Sequence, residues 1–253
     1  MHTHAYPILE FDSTRQAVIE PRHVGGPADT PEHAVVCFFQ DVITRLVQDH
    51  RARVISRMTN ELGTHPLYEM EVGGRRLAVF HPGVGAPLAA AVLEEVIAAG
   101  CRKFIACGGA GVLDPAIAVG HLIVPAAAVR DEGTSYHYLP PAREVLAHPD
   151  AVVALESVLQ AHNRAYLLAT TWTTDAYYRE TPARVLRRRA EGCVAVEMEA
   201  AAFFAVAQFR GVPFAQLLYG GDDVSGIWDS RAWTTHAVRE ELFWLAAEAC
   251  LRL

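Results

Sequence analysis

Short apolar runs alternate along the chain with stretches whose apolar residues recur at helical spacing. Ala34 to Phe39 is such a run, and Val42, Ile43, Leu46 and Val47 follow on one helical face, so a strand hands over to a helix. Arg53 to Ser56 is a second strand candidate. Leu67 to Val72 and Arg75 to Phe80 flank Gly73-Gly74, a hairpin signal. Pro82-Gly83-Val84-Gly85-Ala86-Pro87 is a glycine-rich turn opening a helix over Leu88 to Ala99, with Gly100 placed to end it. A buried strand from Lys103 to Cys107 then runs into Gly108-Gly109-Ala110-Gly111, and a long strand from His121 to Val129 is interrupted by Pro125. The remaining pattern gives a helix over Ala151 to His162, a strand over Tyr166 to Thr170, a helix over Thr181 to Ala190, a last strand over Phe214 to Tyr219 and a closing helix over Ala232 to Leu251.

This alternation predicts the α/β class: a single-domain, three-layer α/β/α sandwich around a central mixed sheet, spanning residues 31–253. Residues 1–30 are polar, with Pro21 and Gly25-Gly26-Pro27, and read as an N-terminal extension lying over the core, with Gln16 to Glu20 as an edge strand. In open α/β sheets small ligands bind where strands give way to loops, which is where the chemistry must be sought.

At 253 residues the chain can build one substantial core, and its 51% hydrophobic and 20% charged composition is that of a packed globular protein. The net charge of −7 argues against nucleic-acid backbone binding, and the one basic run, Arg187-Arg188-Arg189, reads as a solvated helix face. The five cysteines have no metal-knuckle spacing; Cys37, Cys107 and Cys193 sit inside apolar runs, as small hydrophobes do, so a reduced, cytoplasmic protein is expected. No signal peptide or membrane-length apolar run is visible. His33, His50, His65, His148 and His162 are scattered and read as surface residues rather than ligands, and no metal or organic cofactor is implied.

The densest chemistry lies in Val194-Ala195-Val196-Glu197-Met198-Glu199-Ala200-Ala201-Ala202-Phe203-Phe204. A β-branched run ends, two carboxylates follow with a methionine between them, and a helix apolar nearly all round begins. Residues two apart on an extended chain point the same way, so Glu197 and Glu199 can face one cavity while Met198 packs, or the reverse. Acids at a helix start are also ordinary caps. Buried acids, however, are rare unless paired or functional. Gly83-Val84-Gly85 and Gly108-Gly109-Ala110-Gly111 let backbone approach a ligand and can turn N–H groups toward an anion, although tight turns explain such glycines about as well.

The Glu-Met-Glu segment resembles that of the nucleoside phosphorylase and nucleosidase superfamily, where it holds the ribose. The two glycine segments, with Gly85, Gly108 and Gly109, resemble the loops flanking that superfamily's phosphate or water site. Ala128 to Tyr138, with Arg130, Glu132-Gly133, Ser135 and His137, is similar to the corresponding stretch of uridine phosphorylases. Thr173-Thr174-Asp175-Ala176-Tyr177-Tyr178 is similar to their Ser-Asp-x-Phe-Tyr stretch, which places Tyr177 against the base, with Trp172 as a further wall. Asp222 stands where the purine enzymes carry the acid that protonates or hydrogen-bonds N7, and Asp223 is its neighbour.

The resemblance implies a nucleoside phosphorylase-like enzyme that cleaves the N-glycosidic bond of a nucleoside, purine rather than uracil, with phosphate as co-substrate. Carboxylates would steady an oxocarbenium-like sugar and an acid would serve the leaving base. Two rivals stand beside it: a nucleoside hydrolase of the same fold, and a non-catalytic nucleoside or nucleobase binder. The hydrolase gains from what is missing. The Gly-Asp-Pro loop and its Arg are replaced by Cys37-Phe38-Phe39-Gln40-Asp41, and the Arg and Ser or Thr of the central loop by Ala106 and Gly109. Arg57, Arg130 or Arg179 are the candidate substitutes, while Gln40 or Asp41 stand where nucleosidases carry a base. Homo-oligomers, dimers or hexamers, are expected by resemblance. His2 or His4 are candidates to reach a neighbour's ribose, and Phe38-Phe39 and Trp228 are exposed-looking hints of an interface.

Overall fold

The computed structural model describes residues 4–21, 29–232 and 236–253. His2 falls outside them. In chain order the elements are β1 (His33–Cys37), α1 (Gln40–Gln48), β2 (Ala52–Asn60), β3 (Gly63–Val72), β4 (Arg75–Phe80), α2 (Ala86–Ala99), β5 (Lys103–Val112), β6 (Leu122–Asp131), β7 (Glu144–Leu146), α3 (Pro149–Ala161), β8 (Tyr166–Thr174), α4 (Pro182–Ala190), β9 (Cys193–Glu197), α5 (Ala200–Arg210), β10 (Phe214–Asp223) and α6 (His236–Leu251). The fold is mixed α/β with a central mixed sheet.

The strand order is β10-β6-β8-β9-β5-β1-β4-β3-β2, and β10 also pairs with β5, so five strands close into a hoop while β1, β4, β3 and β2 extend from it as an open wing. β1 lies parallel between β4 and β5, with Cys37 opposite Cys107. The β3–β4 hairpin turns at Gly73-Gly74 as expected. Helices α2 and α5 pack together, as do α3 and α6.

Three strands outrun their sequence signals. β5 continues through Gly108 to Val112 because β10 pairs with it from Phe104↔Phe214 to Gly220↔Ala110; a ladder partner overrides the turn preference of glycine. β8 runs to Thr174 on its pairing with β6, and β10 runs through the glycines to Asp223. β6 absorbs its proline in a register shift between Pro125 and Ala127. The expected strand at Gln16 to Glu20 does not form. That segment is irregular, with Val18 and Ile19 in solvent and, among the described residues, no strand paired with it. The extension still lies on the body: Ile8 approaches Gly133, and the Arg15 guanidinium lies 5.5 Å from the Phe209 ring centroid.

α5 is the buried spine. Ala200 to Ala207 are all buried, Phe203 stacks on Phe214 at 4.9 Å, and Gly211 closes the helix in the left-handed conformation. Each such phenylalanine contributes roughly 2–3 kcal/mol by burial. Four side chains differ from their reading in sequence. Arg188 is buried, not part of a solvated face; His33 is buried in β1; Phe39 is buried and Phe38 half-buried. All five cysteines are free and buried. Among the described residues no helix is long and apolar enough to cross a membrane.

Candidate active site

The β9–α5 junction brings both acids inside, with Met198 half-buried between them, and gives each acid a different partner. Glu197 accepts hydrogen bonds from Thr173 Oγ1 (2.6 Å), from the Glu199 amide (2.7 Å) and from the Ala200 amide (2.6 Å). Thr173 Oγ1 in turn accepts from the Ala201 amide at 2.9 Å. Glu197 is thus a cap, spending its charge on the exposed N–H groups of α5 and locking β8 to the helix start. Glu199 reaches the other way. Its Oε1 accepts the Gly85 amide at 2.6 Å, joining the Glu-Met-Glu segment to the glycine-rich turn after β4. Gly85 has φ 91°, which a side chain would strain, and that conformation aims its N–H out of the helix start at the carboxylate.

Burial is the main cause that raises both carboxyls above the ordinary carboxylate range; the charge of Glu197 adds to the effect on Glu199, while the hydrogen bonds work the other way. Glu132, also buried, is raised by burial, opposed by its bonds from Ser135, and its charge acts on Glu197. The start of α5 is therefore rich in buried acids.

His81 staples the glycine turn. Its Nδ1 accepts the Gly83 amide at 3.0 Å, and its ring bonds to the Phe38 backbone and meets the Phe38 ring edge-on at 6.0 Å. Burial holds its pKa below the ordinary histidine value, which suits an acceptor nitrogen. Gly108 and Gly109 do not form an open cradle on their side-chain faces. A Cβ on Gly108 would lie 3.1 Å from the Phe38 ring, and one on Gly109 3.2 Å from the Tyr219 ring, so aromatic rings cover both.

At the far end, Tyr177 begins a single helical turn after β8 and is 53% exposed, its ring centroid 4.2 Å from that of Tyr178. The Glu180 amide closes this turn on the Tyr177 carbonyl at 3.2 Å. The Glu180 carboxyl is pushed up to about 7, first by burial and then by the charge of Asp222, with Arg184 opposing. Glu180 therefore links the Tyr177 turn to the end of β10. Asp222 is half-buried and accepts the Trp228 indole N–H at 2.8 Å. Asp223, its neighbour, is committed elsewhere. It pairs with Arg231, accepts the Ser225 amide at 2.8 Å, and forms a two-bond backbone bridge with Asp229, which makes it the staple of the following loop.

Two candidate site residues have their side chains engaged in internal bonds. Trp172 is fully buried among Leu113, Val129, Val185, Cys193 and Val196, and its indole N–H donates to Asp131 Oδ2 at 2.9 Å, an oxygen that also takes Arg184 and Arg188. It walls the core, not a ligand. Arg130 is buried and donates to Ser135 Oγ (2.8 Å), Pro140 O (2.7 Å) and Leu139 O (3.2 Å). Its guanidinium ties down the loop after β6 instead of facing an anion; the carboxylate of that loop, Glu132, bonds Ser135. His4 Nδ1 accepts the Tyr6 amide in its own exposed segment. Asp41 is occupied by His236 (2.6 Å) and Arg239 (3.1 Å). Among the described residues no group of three His, Cys, Asp or Glu side chains could hold a metal ion.

Thr173, His81, Glu180 and Trp228 have no site role in the sequence reading. Thr173 and Glu180 stand inside or just beyond a segment already singled out, so their position was visible and their partners were not. His81 carries no local signal, and Trp228 stood out only as a hint of an interface.

A model of the Phosphorylase superfamily matches residues 32–250. The guanosine phosphorylase of Halorubrum lacusprofundi is 30% identical over 139 residues, 55% of this chain and 58% of that protein. The chain spans about half the length of the curated relatives it matches. Among solved structures, the uridine phosphorylase of Vibrio fischeri superposes with a TM-score of 0.76 at 21% identity, covering 94% of this chain and 100% of that one. The AMP nucleosidase of Bacteroides thetaiotaomicron does so with a TM-score of 0.71 at 22% identity, covering 88% and 89%. These likenesses carry the fold, and the match over most of the length carries the kinship: the chain belongs to the Phosphorylase superfamily.

Proposed function

We propose that this protein cleaves the N-glycosidic bond of a purine nucleoside by phosphorolysis, giving the free base and ribose 1-phosphate. The observation that carries the reading is the bond from Gly85 to Glu199, which sets a buried carboxylate of the Glu-Met-Glu segment against the glycine turn. A sugar there would rest on Glu199, with the carboxylates stabilising positive charge as the base departs. Tyr177 offers the base an exposed aromatic face, and Asp222 a carboxyl for a purine ring nitrogen. In the step itself the C1′–N bond breaks, its electron pair goes to the base, the base takes a proton from Asp222, and a phosphate oxygen bonds to C1′. The guanosine phosphorylase relative favours a purine, while the uridine phosphorylases among the relatives and solved structures favour phosphorolysis without choosing the base. The protein is expected to act as a homo-oligomer without a resident cofactor.

A specific observation favours one second reading, hydrolysis by water. The positions of the expected phosphate arginines are occupied otherwise, Arg130 is turned into backbone carbonyls, and the start of α5 is rich in buried acids, which disfavours a dianion. The AMP nucleosidase likeness shows that this fold accommodates a nucleosidase. Inosine, guanosine, adenosine and uridine, each incubated with and without phosphate, decide the matter. Base release that requires phosphate and yields ribose 1-phosphate from purine nucleosides is expected; free ribose formed at the same rate without phosphate would overturn phosphorolysis in favour of the hydrolase.

A further inference from the structure

The loop after β10 is built to hold one side chain against Asp222. Its base is closed by the paired backbone bonds Asp223 N→Asp229 O (2.8 Å) and Asp229 N→Asp223 O (3.0 Å). Arg231 pins it to the body, bonding Asp223 and donating to the Ile117 carbonyl at 2.7 Å. The tip, Gly226 to Trp228, is exposed, with Ile227 almost wholly in solvent. An indole left 64% exposed needs a reason, and its N–H has one: it donates to Asp222 Oδ2 at 2.8 Å. Among the described residues Asp222 Oδ1 has no hydrogen-bond partner, so one oxygen is held and the other is presented.

We infer that Trp228 is a positioning residue for Asp222: the indole N–H fixes Oδ2, turns Oδ1 toward a purine ring nitrogen, and stabilises the carboxylate formed when Asp222 gives up its proton. This rests on the reading of Asp222 as the acid of the reaction. The balance is simple. The Oδ1–H bond breaks, an N–H bond forms on the departing base, and the negative charge left on Asp222 meets a donor already in place, at no cost in reorganisation. The charge of Asp222 reaches Glu180 in the turn after β8, where Arg184 of α4 opposes it, and Tyr219 on β10. The contact of Trp228 with Asp222 places an aromatic ring beside the end of the site that would receive the base.

Trp228→Phe keeps a ring and removes the N–H, Trp228→Gln returns an N–H donor without the ring, and Asp222→Asn gives the reference. With guanosine or inosine, W228F is expected to lower kcat about tenfold, the loss of one bond to a charged group. It should also move the alkaline limb of the kcat/KM profile to higher pH, and W228Q should bring the limb back. A W228F profile that overlays the wild type, while Asp222→Asn is inactive, overturns the role of Trp228 and leaves Asp222 standing; Asp222→Asn with wild-type turnover overturns the reading beneath it. A measurement without turnover covers the same ground. The indole N–H resonance that disappears in W228F should shift with pH in the wild type and lose that titration in Asp222→Asn, and a resonance behaving alike in both would overturn the inference.

Discussion

Glu197 and Glu199 are two residues apart, yet their hydrogen bonds lead in opposite directions, one into the start of α5 and the other across to Gly85. Substitution should separate the two. Thr173→Val removes a donor to Glu197 and an acceptor for Ala201, and should cost about 1–3 kcal/mol of stability, read as a fall in urea midpoint. Glu199→Gln should instead abolish most turnover and stabilise the empty protein at pH 8. The sign follows from burial. A carboxyl raised in the folded state contributes stability below its unfolded value and loses it as pH climbs through the folded one. Wild-type Tm should therefore decline between about pH 5 and 8, and E199Q should flatten that slope; a slope unchanged by E199Q would count against Glu199 as its source. The sequence showed two acids before a buried helix and could not say which was the cap. That choice depends on Thr173 arriving from β8 and Gly85 from the turn after β4, partners distant in sequence.

The segments after β5, β6, β8 and β10 show where local patterns stop being informative. Glycines at 108, 109 and 220 stand past the ends of the expected strands, but the pairing of β5 with β10 draws them into the ladder. The Glu-Met-Glu and hairpin segments were legible because their signals are local: a run of apolar residues, two acids, a two-glycine turn. Trp172 and Arg130 stand next to the segments that the resemblance singled out, while their own side chains bond inward, to Asp131 and to the Pro140 carbonyl. Arg130→Met tests the second assignment. It leaves the Leu139 and Pro140 carbonyls without their donor and should destabilise the protein by about 2–3 kcal/mol, with KM for phosphate unchanged among molecules still folded. A raised phosphate KM with an unchanged Tm would return Arg130 to the anion.

In the molecule as a whole, the hoop of β5, β10, β6, β8 and β9 delivers the Glu199 junction, the Tyr177 turn and Asp222 from three strands that share one closed ladder. This explains why the fold class could be read from alternation alone while the closure could not: β10 reaches β5 and β6 only after every other strand is placed. The proposed assembly has a direct check, since light scattering of the purified protein should give a mass that is a multiple of 27.6 kDa; a monomer at micromolar concentration would remove the neighbour's side chains from any account of the site.

The bond between Gly85 and Glu199 also bears on how the proposed substrates would bind. A ribose hydroxyl that displaced the Gly85 amide from Glu199 Oε1 would free a donor at the mouth of the glycine turn for whatever oxyanion enters next. Sugar and anion would thus help each other to bind, by the same factor in either direction. Calorimetric titration of phosphate into the protein, alone and then saturated with an unreactive nucleoside analogue, should show the second affinity to be the higher; equal affinities would mean that the two guests arrive as strangers.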